Sequence, residues 1–155
     1  MVYSRTSFLQ RITSYCAESE RCTHDALTKL KSWGATSEEI DDILNKLYVE
    51  KFVDDKRFAN SYVSEKWNLD HWGKIKITNA LEAKLIDVKI IQGALETISD
   101  EEYIQGLNEL LLKKRKENSA SKNPGDARKL MSFALSRGFE EELVMEWLES
   151  QGYEI

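Results

Sequence analysis

Between residues 57 and 76 the sequence alternates basic side chains with tryptophans. The members of this group are Arg57, Lys66, Trp67, Trp72, Lys74 and Lys76. Ammonium and guanidinium groups neutralise phosphates, and indole rings stack on nucleobases. The group is therefore a candidate surface for nucleic acid or for a protein partner. Lysines on a helix are also commonly only hydrated, and we expect this of Lys84 and Lys89 in the same region.

A second basic segment runs from Lys113 to Arg137, with eight basic and two acidic residues. Its binding candidates are Lys113, Lys114, Arg115, Lys116, Arg128, Lys129 and Arg137. Residues 138–155 then contain six acidic and no basic side chains, and the whole chain has a net charge of −5. The basic segment suits a phosphate or an acidic partner. Its first four residues equally suit the negative end of a helix, so both interpretations stay open.

Motifs for catalysis or cofactor binding are missing from the sequence. It has no phosphate-binding loop and no glycine-rich dinucleotide turn. Cys16 and Cys22 match no zinc spacing, and His24 and His71 are isolated along the chain. We therefore expect no enzyme activity, no cofactor and no metal site. We also expect the two thiols to be reduced.

The composition is that of a well-packed helical protein. The chain has 155 residues, of which 41% are hydrophobic and 32% charged. One proline and seven glycines leave few helix breakers. No run of eighteen apolar residues occurs, and the first residues lack the pattern of a secretion signal. We expect a monomeric cytoplasmic protein that does not enter membranes.

Apolar residues recur at helical spacing along nearly the whole chain. The first six predicted helices cover residues 7–18, 23–33, 37 onward, 55–67, 74–84 and 87–98. The last three begin near residue 99, at Asn123–Pro124 and after Gly138. Capping boxes at residues 36–39 and 99–102 predict two of the starts, and Asp54 or Asp55 predicts a third. Few residues are left for strands.

The helical pattern repeats along the chain. Leu95 lies 51 residues after Leu44, and Leu148 lies a further 53 residues on. This offset indicates an all-α fold of three tandem three-helix repeats, with limits at 1–50, 51–98 and 99–155. Such repeats form an elongated or curved body. The alternative is a single helical bundle whose spacing matches by accident.

Three segments carry a resemblance to a known family. Residues 53–59, Val-Asp-Asp-Lys-Arg-Phe-Ala, resemble the aliphatic-Asp-Asp-x-Arg-Phe-Ala signature of the RecX proteins. Residues 72–77 are similar to that family's glycine followed by basic and aliphatic residues, and residues 135–139 to its Arg-Gly-Phe. The resemblance covers about residues 7–150 and implies a fold of tandem three-helix modules.

RecX proteins regulate the bacterial recombinase RecA, so the resemblance also implies a function. Such a protein lies in the groove of the RecA filament on single-stranded DNA. There it inhibits ATP hydrolysis and strand exchange during recombination, DNA repair and the SOS response. Direct binding of this acidic chain to single-stranded DNA would then be weak. The alternative that the residues suggest is a DNA-binding module with a helix-turn-helix-like unit and phosphate contacts from the second basic segment.

Two positions depart from the expected pattern. Lys51 stands where the RecX signature is commonly preceded by glycine. Leu85 stands where Gly34 and Gly138 end the corresponding helices of the other two repeats. The net negative charge also differs from that of the many RecX proteins that are basic.

Overall fold

The computed structural model of the protein describes residues 5–117 and 121–154. Within these residues it contains nine α-helices and no strand. The helices are α1 (Arg5–Glu18), α2 (Thr23–Ser32), α3 (Ser37–Val49), α4 (Asp55–Asn68), α5 (Lys74–Ala83), α6 (Val88–Leu95), α7 (Asp100–Glu117), α8 (Pro124–Ser136) and α9 (Glu141–Ser150). The predicted all-α class is confirmed.

Helices α3 and α8 begin at the caps that the sequence predicts. The Thr36 hydroxyl accepts a hydrogen bond from the Glu39 N–H at 3.2 Å, and the Glu39 carboxylate accepts one from the Thr36 N–H at 3.0 Å. At α8 the Asn123 side chain accepts from the Asp126 N–H at 2.9 Å, with Pro124 in the first turn. These side chains satisfy amides that have no carbonyl partner within their own helix.

The nine helices of the described residues form three successive groups of three, α1–α3, α4–α6 and α7–α9, which we call trios. The second helix of each trio, α2, α5 or α8, ends in the same left-handed turn. The backbone angle φ is +91° at Gly34, +57° at Leu85 and +94° at Gly138. The next residue then donates to a carbonyl five positions earlier, and the three bonds are Ala35 to Leu30 (3.1 Å), Ile86 to Leu81 (3.3 Å) and Phe139 to Ala134 (3.1 Å). This closure matches the helix-terminating motif with a left-handed residue after the last turn. The trios therefore share a local geometry at the spacing that the sequence repeat predicts.

Packing divides the chain into two compact units. One comprises Met1–Tyr62 and Leu81–Ala94, and the other Val63–Ala80 and Leu95–Ile155. The chain passes between the units at three points, which lie in α4, in α5 and at the end of α6. The predicted repeat limits and the elongated or curved body stay predictions.

The first unit has its core between α1, α2 and α3, which pack against one another. Phe8, Ile12 and Leu30 are fully buried there. Cys16 and Cys22 are free, buried thiols. In the second unit α7, α8 and α9 likewise pack together, around side chains such as Leu111. Burial of each large aliphatic side chain stabilises the folded state by about 1.5–3 kcal/mol. The packing among the three helices therefore stabilises each unit by itself. None of the described helices is long and apolar enough to cross a membrane.

Leu85 provides a test of the shared turn. Its side chain is 73% exposed, so it adds little packing, while its left-handed backbone strains a residue with a β-carbon. Leu85→Gly should therefore raise the free energy of unfolding by about 0.5–1 kcal/mol, after the entropic cost of glycine. Leu135→Gly, at an exposed position inside α8, should instead lower it by about 1 kcal/mol. Urea denaturation measures both changes, and a loss of stability in Leu85→Gly would contradict the assignment.

The buried thiol of Cys22 predicts a decline of stability at high pH. Burial raises the pKa of Cys22 from about 9 to about 11. Between these values the unfolded chain releases a proton that the folded chain keeps, so the free energy of unfolding falls as pH rises, by about 2–3 kcal/mol in all. Urea denaturation at several pH values from 8 to 11 should show a shallower decline for Cys22→Ala than for the wild type. Equal slopes would refute this origin.

Candidate partner-binding surface

Arg57 is the predicted binding candidate that lies in the first unit. Its Nε donates to the Glu20 carboxylate at 2.6 Å, and its Nη1 donates to the Lys51 carbonyl at 3.0 Å. Lys51 has a φ of +63°, so the guanidinium holds the carbonyl of a left-handed residue. The sequence alone indicates no packing role for Arg57 and therefore predicts that it contacts a partner. The structure supplies such a role.

Asp54 and Asp55, which precede Arg57, accept hydrogen bonds from backbone amides at the starts of α4 and α2, respectively. Asp54 accepts a hydrogen bond from the Arg57 N–H at 3.0 Å and so caps α4. Asp55 accepts a hydrogen bond at 2.7 Å from the N–H of Thr23, and Thr23 is the first residue of α2. Residues 53–59 therefore connect elements of the first unit to one another.

Lys84 has a comparable structural role. Its ammonium group lies 2.6 Å from the Asp25 carboxylate. Burial opposes both charges, but the hydrogen bond and the attraction between them outweigh it. The pKa of Asp25 is consequently lowered and that of Lys84 raised. The expectation that Lys84 is only hydrated is wrong, because the ammonium group is paired with Asp25 inside the first unit.

The remaining binding candidates lie in the second unit, where two of them lie against the Trp72 ring. The Lys66 ammonium lies 4.7 Å from the Trp72 ring, and that of Lys76 lies 4.5 Å from it. Lys66 also pairs with Asp70 at 3.1 Å. Cation–π contacts of this kind contribute about 0.5–1 kcal/mol at exposed sites.

Two further candidates lie against the Phe133 ring. Lys114 lies 5.0 Å and Arg137 5.1 Å from the centre of its ring. Arg137 also donates to the Asp70 carbonyl at 3.0 Å, and Lys76 donates to the Ser136 carbonyl at 3.4 Å. Arg137, beside Phe133, is thus bonded to the backbone two residues before Trp72, and Lys76, beside Trp72, to the backbone one residue before Arg137. We call Lys66, Trp72, Lys76, Lys114, Phe133 and Arg137 the basic–aromatic cluster.

Other candidates lie away from this cluster. Lys74 places its ammonium 4.7 Å from the Tyr103 ring. Arg115 donates to the Gln151 side chain at 3.1 Å and lies 5.9 Å from the Trp147 ring. Lys116, Arg128 and Lys129 are exposed. Because successive helical residues point about 100° apart, the run from Lys113 to Lys116 is divided between different faces of α7.

Two glycines bring the start of α5 against the turn between α8 and α9. The Gly73 N–H donates to the Arg137 carbonyl at 2.6 Å, and the Ile75 N–H donates to the Gly138 carbonyl at 3.0 Å. A β-carbon on Gly73 would lie 2.6 Å from the Phe139 nitrogen and closer still to the Gly138 carbonyl. Backbone carbonyls of a distant segment therefore replace the usual side-chain cap of α5.

Tyr103 completes this junction. Its hydroxyl accepts from the Lys74 N–H at 2.9 Å and donates to the Glu140 carboxylate at 2.8 Å. Burial raises the pKa of Tyr103, and the nearby Glu140 carboxylate raises it further. The hydroxyl therefore keeps its proton and serves as both acceptor and donor. Its ring packs 5.4 Å from that of Trp67 and 5.3 Å from that of Phe139.

A groove of about 580 Å³ lies beside these rings in the second unit. Its apolar lining includes Trp67, Phe133 and Phe139, and its α7 side includes Gly106 and Lys113. The Trp67 ring rests directly on α7, because a β-carbon at Gly106 would lie 2.6 Å from its Cζ2 atom. Sequence reasoning missed this groove. The glycine inside a predicted helix was the available signal for a close approach.

In the part of the chain that the structure describes, no three His, Cys, Asp or Glu side chains are grouped so as to hold a metal ion.

Comparison with known proteins relates these features to one family. A family model described as the second three-helix domain of RecX matches residues 54–95, which contain α4, α5 and α6. A curated protein named Regulatory protein RecX from Finegoldia magna is 32% identical over 77% of this chain and 59% of its own length. One of the same name from Clostridium acetobutylicum is 32% identical over 83% and 61%, respectively. The chain thus spans about six-tenths of the length of these relatives.

Solved structures show the same fold. A crystal structure of RecX from Lactobacillus salivarius matches with a TM-score of 0.84 over 95% of both chains, at 23% identity. A crystal structure of another regulatory protein RecX matches with a TM-score of 0.82 over 94% of this chain and 73% of that chain, at 26% identity.

The glycine junction can be tested by adding one methyl group. Gly73→Ala forces a β-carbon into backbone atoms and should lower the free energy of unfolding by about 3 kcal/mol. Gly93→Ala is the matched control, since a β-carbon there meets nothing within 4 Å inside α6. That variant should be more stable than the wild type by about 0.5–1 kcal/mol. Urea denaturation followed by circular dichroism compares them, and similar effects of the two substitutions would rule out the tight junction.

Proposed function

This chain belongs to the RecX family of regulatory proteins, and on that premise we propose that it binds the RecA nucleoprotein filament. Binding would lower the filament's ATP hydrolysis and strand exchange. The relatives are named for regulation, and the chain spans only part of their length. The partner and the direction of the effect are therefore the content of this proposal.

The observation that carries the proposal is the shared closure of the three helical trios. Residues 34, 85 and 138 adopt the same left-handed turn with the same hydrogen bond to the preceding helix. A chain that uses one local geometry three times suits a partner that also repeats, as a filament of identical subunits does. Several weak contacts then combine, because each one raises the effective concentration of the next.

The basic–aromatic cluster supports a polar contact with such a partner. Its four cations lie against two rings on a chain whose net charge is −5. Local positive charge of this kind attracts acidic protein surface or phosphate, although distant acidic residues cancel it at longer range. In the proposed mechanism the bound chain bridges neighbouring recombinase subunits and opposes the movements that ATP hydrolysis and strand exchange need.

A DNA-binding module remains the second candidate, and one arrangement favours it. The ammonium groups of Lys66 and Lys76 lie 4.7 and 4.5 Å from the centre of the Trp72 ring. Aromatic rings among cations are typical of proteins that bind single-stranded nucleic acid. This function needs no recombinase. Its affinity for DNA alone should fall steeply as salt is raised.

ATP hydrolysis by RecA filaments on single-stranded DNA tests the proposal. Addition of the purified protein should lower the hydrolysis rate to a plateau as the filament is saturated. The double variant Lys76→Gln and Lys114→Gln should need about tenfold more protein for half the effect, since two contacts worth about 1.4 kcal/mol together are lost.

The control is the double variant Lys31→Gln and Lys46→Gln, which removes the same charge from exposed positions in the first unit. It should inhibit as the wild type does. An unchanged hydrolysis rate at saturating protein excludes inhibition. Tight binding to single-stranded DNA without RecA, weakened by salt and by the first double variant, would favour the second candidate instead.

A further inference from the structure

We propose that the groove of the second unit binds an amphipathic helix of a partner protein, about three turns long and antiparallel to α7. This inference goes beyond the proposed function and does not depend on RecA. Its starting point is the face of α7 that lines the groove. Lining residues from Glu102 to Glu117 recur at intervals of three and four, which places them along one side of the helix.

The opposite side of α7 is committed to the core of the unit. Leu107 and Leu111 are buried there, and α7 packs against α8 and α9. The groove side instead presents exposed residues such as Gln105, Glu109 and Lys113. The stretch from Glu102 to Lys113 is about 16 Å long at the helical rise per residue. That length corresponds to about three turns of a second helix lying alongside.

Aromatic rings give the groove its apolar wall. Trp67 and Phe133 are each only partly buried, and both line the groove. The close contact of Trp67 with Gly106 fixes the ring against the backbone of α7. A volume of about 580 Å³ accommodates several aliphatic side chains, and helices are recognised in such grooves through apolar residues at i, i+4 and i+7.

The order of charges along α7 selects the chemistry of the occupant. Glu102 lines the groove near the start of α7 and Glu109 near its middle. Lys113, Lys114 and Glu117 line it toward the end of α7, together with Arg137 from the end of α8. Helices are stabilised by acidic residues in their first turn and basic residues in their last. A helix with this common pattern, placed antiparallel to α7, brings its acidic start to Lys113 and its basic end to Glu102.

The same charges disfavour nucleic acid as the occupant. Three carboxylates and three cations line the groove: Glu102, Glu109, Glu117, Lys113, Lys114 and Arg137. Glu117 also lies 3.9 Å from Lys114 and offsets part of its charge. A polyanion would be repelled by the acidic half, whereas a helix with both signs is complementary over the whole length.

Synthetic peptides of about twelve residues test the proposal. The first carries Glu in its opening turn, Lys in its closing turn and Leu at i, i+4 and i+7, and the second has Glu and Lys exchanged. Titration is followed by calorimetry and by the amide resonance of Gly106 in the full chain. The first peptide should bind saturably and should shift this resonance, and the second should bind about tenfold more weakly.

A charge exchange in the groove provides the decisive control. The double variant Glu102→Lys and Lys113→Glu should reverse the preference, so that the second peptide binds more tightly. The matched variant Lys129→Glu and Glu146→Lys makes the same exchange at exposed positions outside the groove lining and should leave the preference unchanged. The proposal is overturned by no saturable binding of the first peptide, by equal binding of both, or by a preference that ignores the exchange in the groove. An oligonucleotide that shifts the Gly106 resonance and displaces the first peptide would also overturn it.

Discussion

The backbone contact between Gly73 and Gly138 is the constraint on which the second unit depends. It lets the amides of Gly73 and Ile75 reach the carbonyls of Arg137 and Gly138, while the Lys74 amide donates to the Tyr103 hydroxyl. It also sets Lys76 against Gly138, where a β-carbon would lie 2.6 Å from the Lys76 nitrogen. Because Gly73 and Gly138 have no β-carbon, the two segments can approach this closely. This approach sets the positions of Lys76 and Arg137, two members of the basic–aromatic cluster.

Charge in this protein serves structure as well as contact. Arg57 and Lys84 are hydrogen-bonded within the first unit, and Arg137 within the second. Burial raises the pKa values of Cys16, Cys22 and Tyr103, so that these groups stay neutral to a higher pH than they would in water. What remains for a partner is a set of half-buried cations on aromatic rings and a groove of mixed charge. Both features suit recognition, where shape and charge order matter more than the reactivity of any one group.

The sequence predicts local features of this fold well and distant pairings poorly. Caps connect residues three positions apart, as at Thr36 and Glu39, so their residue types predict them directly. The bond between Arg57 and Glu20 spans 37 residues, and that between Lys76 and Ser136 spans 60. The helical spacing of residue types in the sequence does not predict such long-range pairs. The division of Lys113 to Lys116 between two faces was also missed, because a run of like charges was treated as one patch although a helix separates its members.

The two segments that resemble family motifs, residues 72–77 and 135–139, meet in space. Their glycines touch, and the Gly73 and Ile75 amides at the start of α5 donate to the carbonyls of Arg137 and Gly138. These motifs are therefore accounted for by a structural junction, as residues 53–59 are by the links from Arg57 and Asp55. A motif whose residues are satisfied internally says little about which surface meets a partner. Surface residues that take no part in these links, such as Lys113 and the exposed part of Trp67 in the groove, are the better guide to recognition.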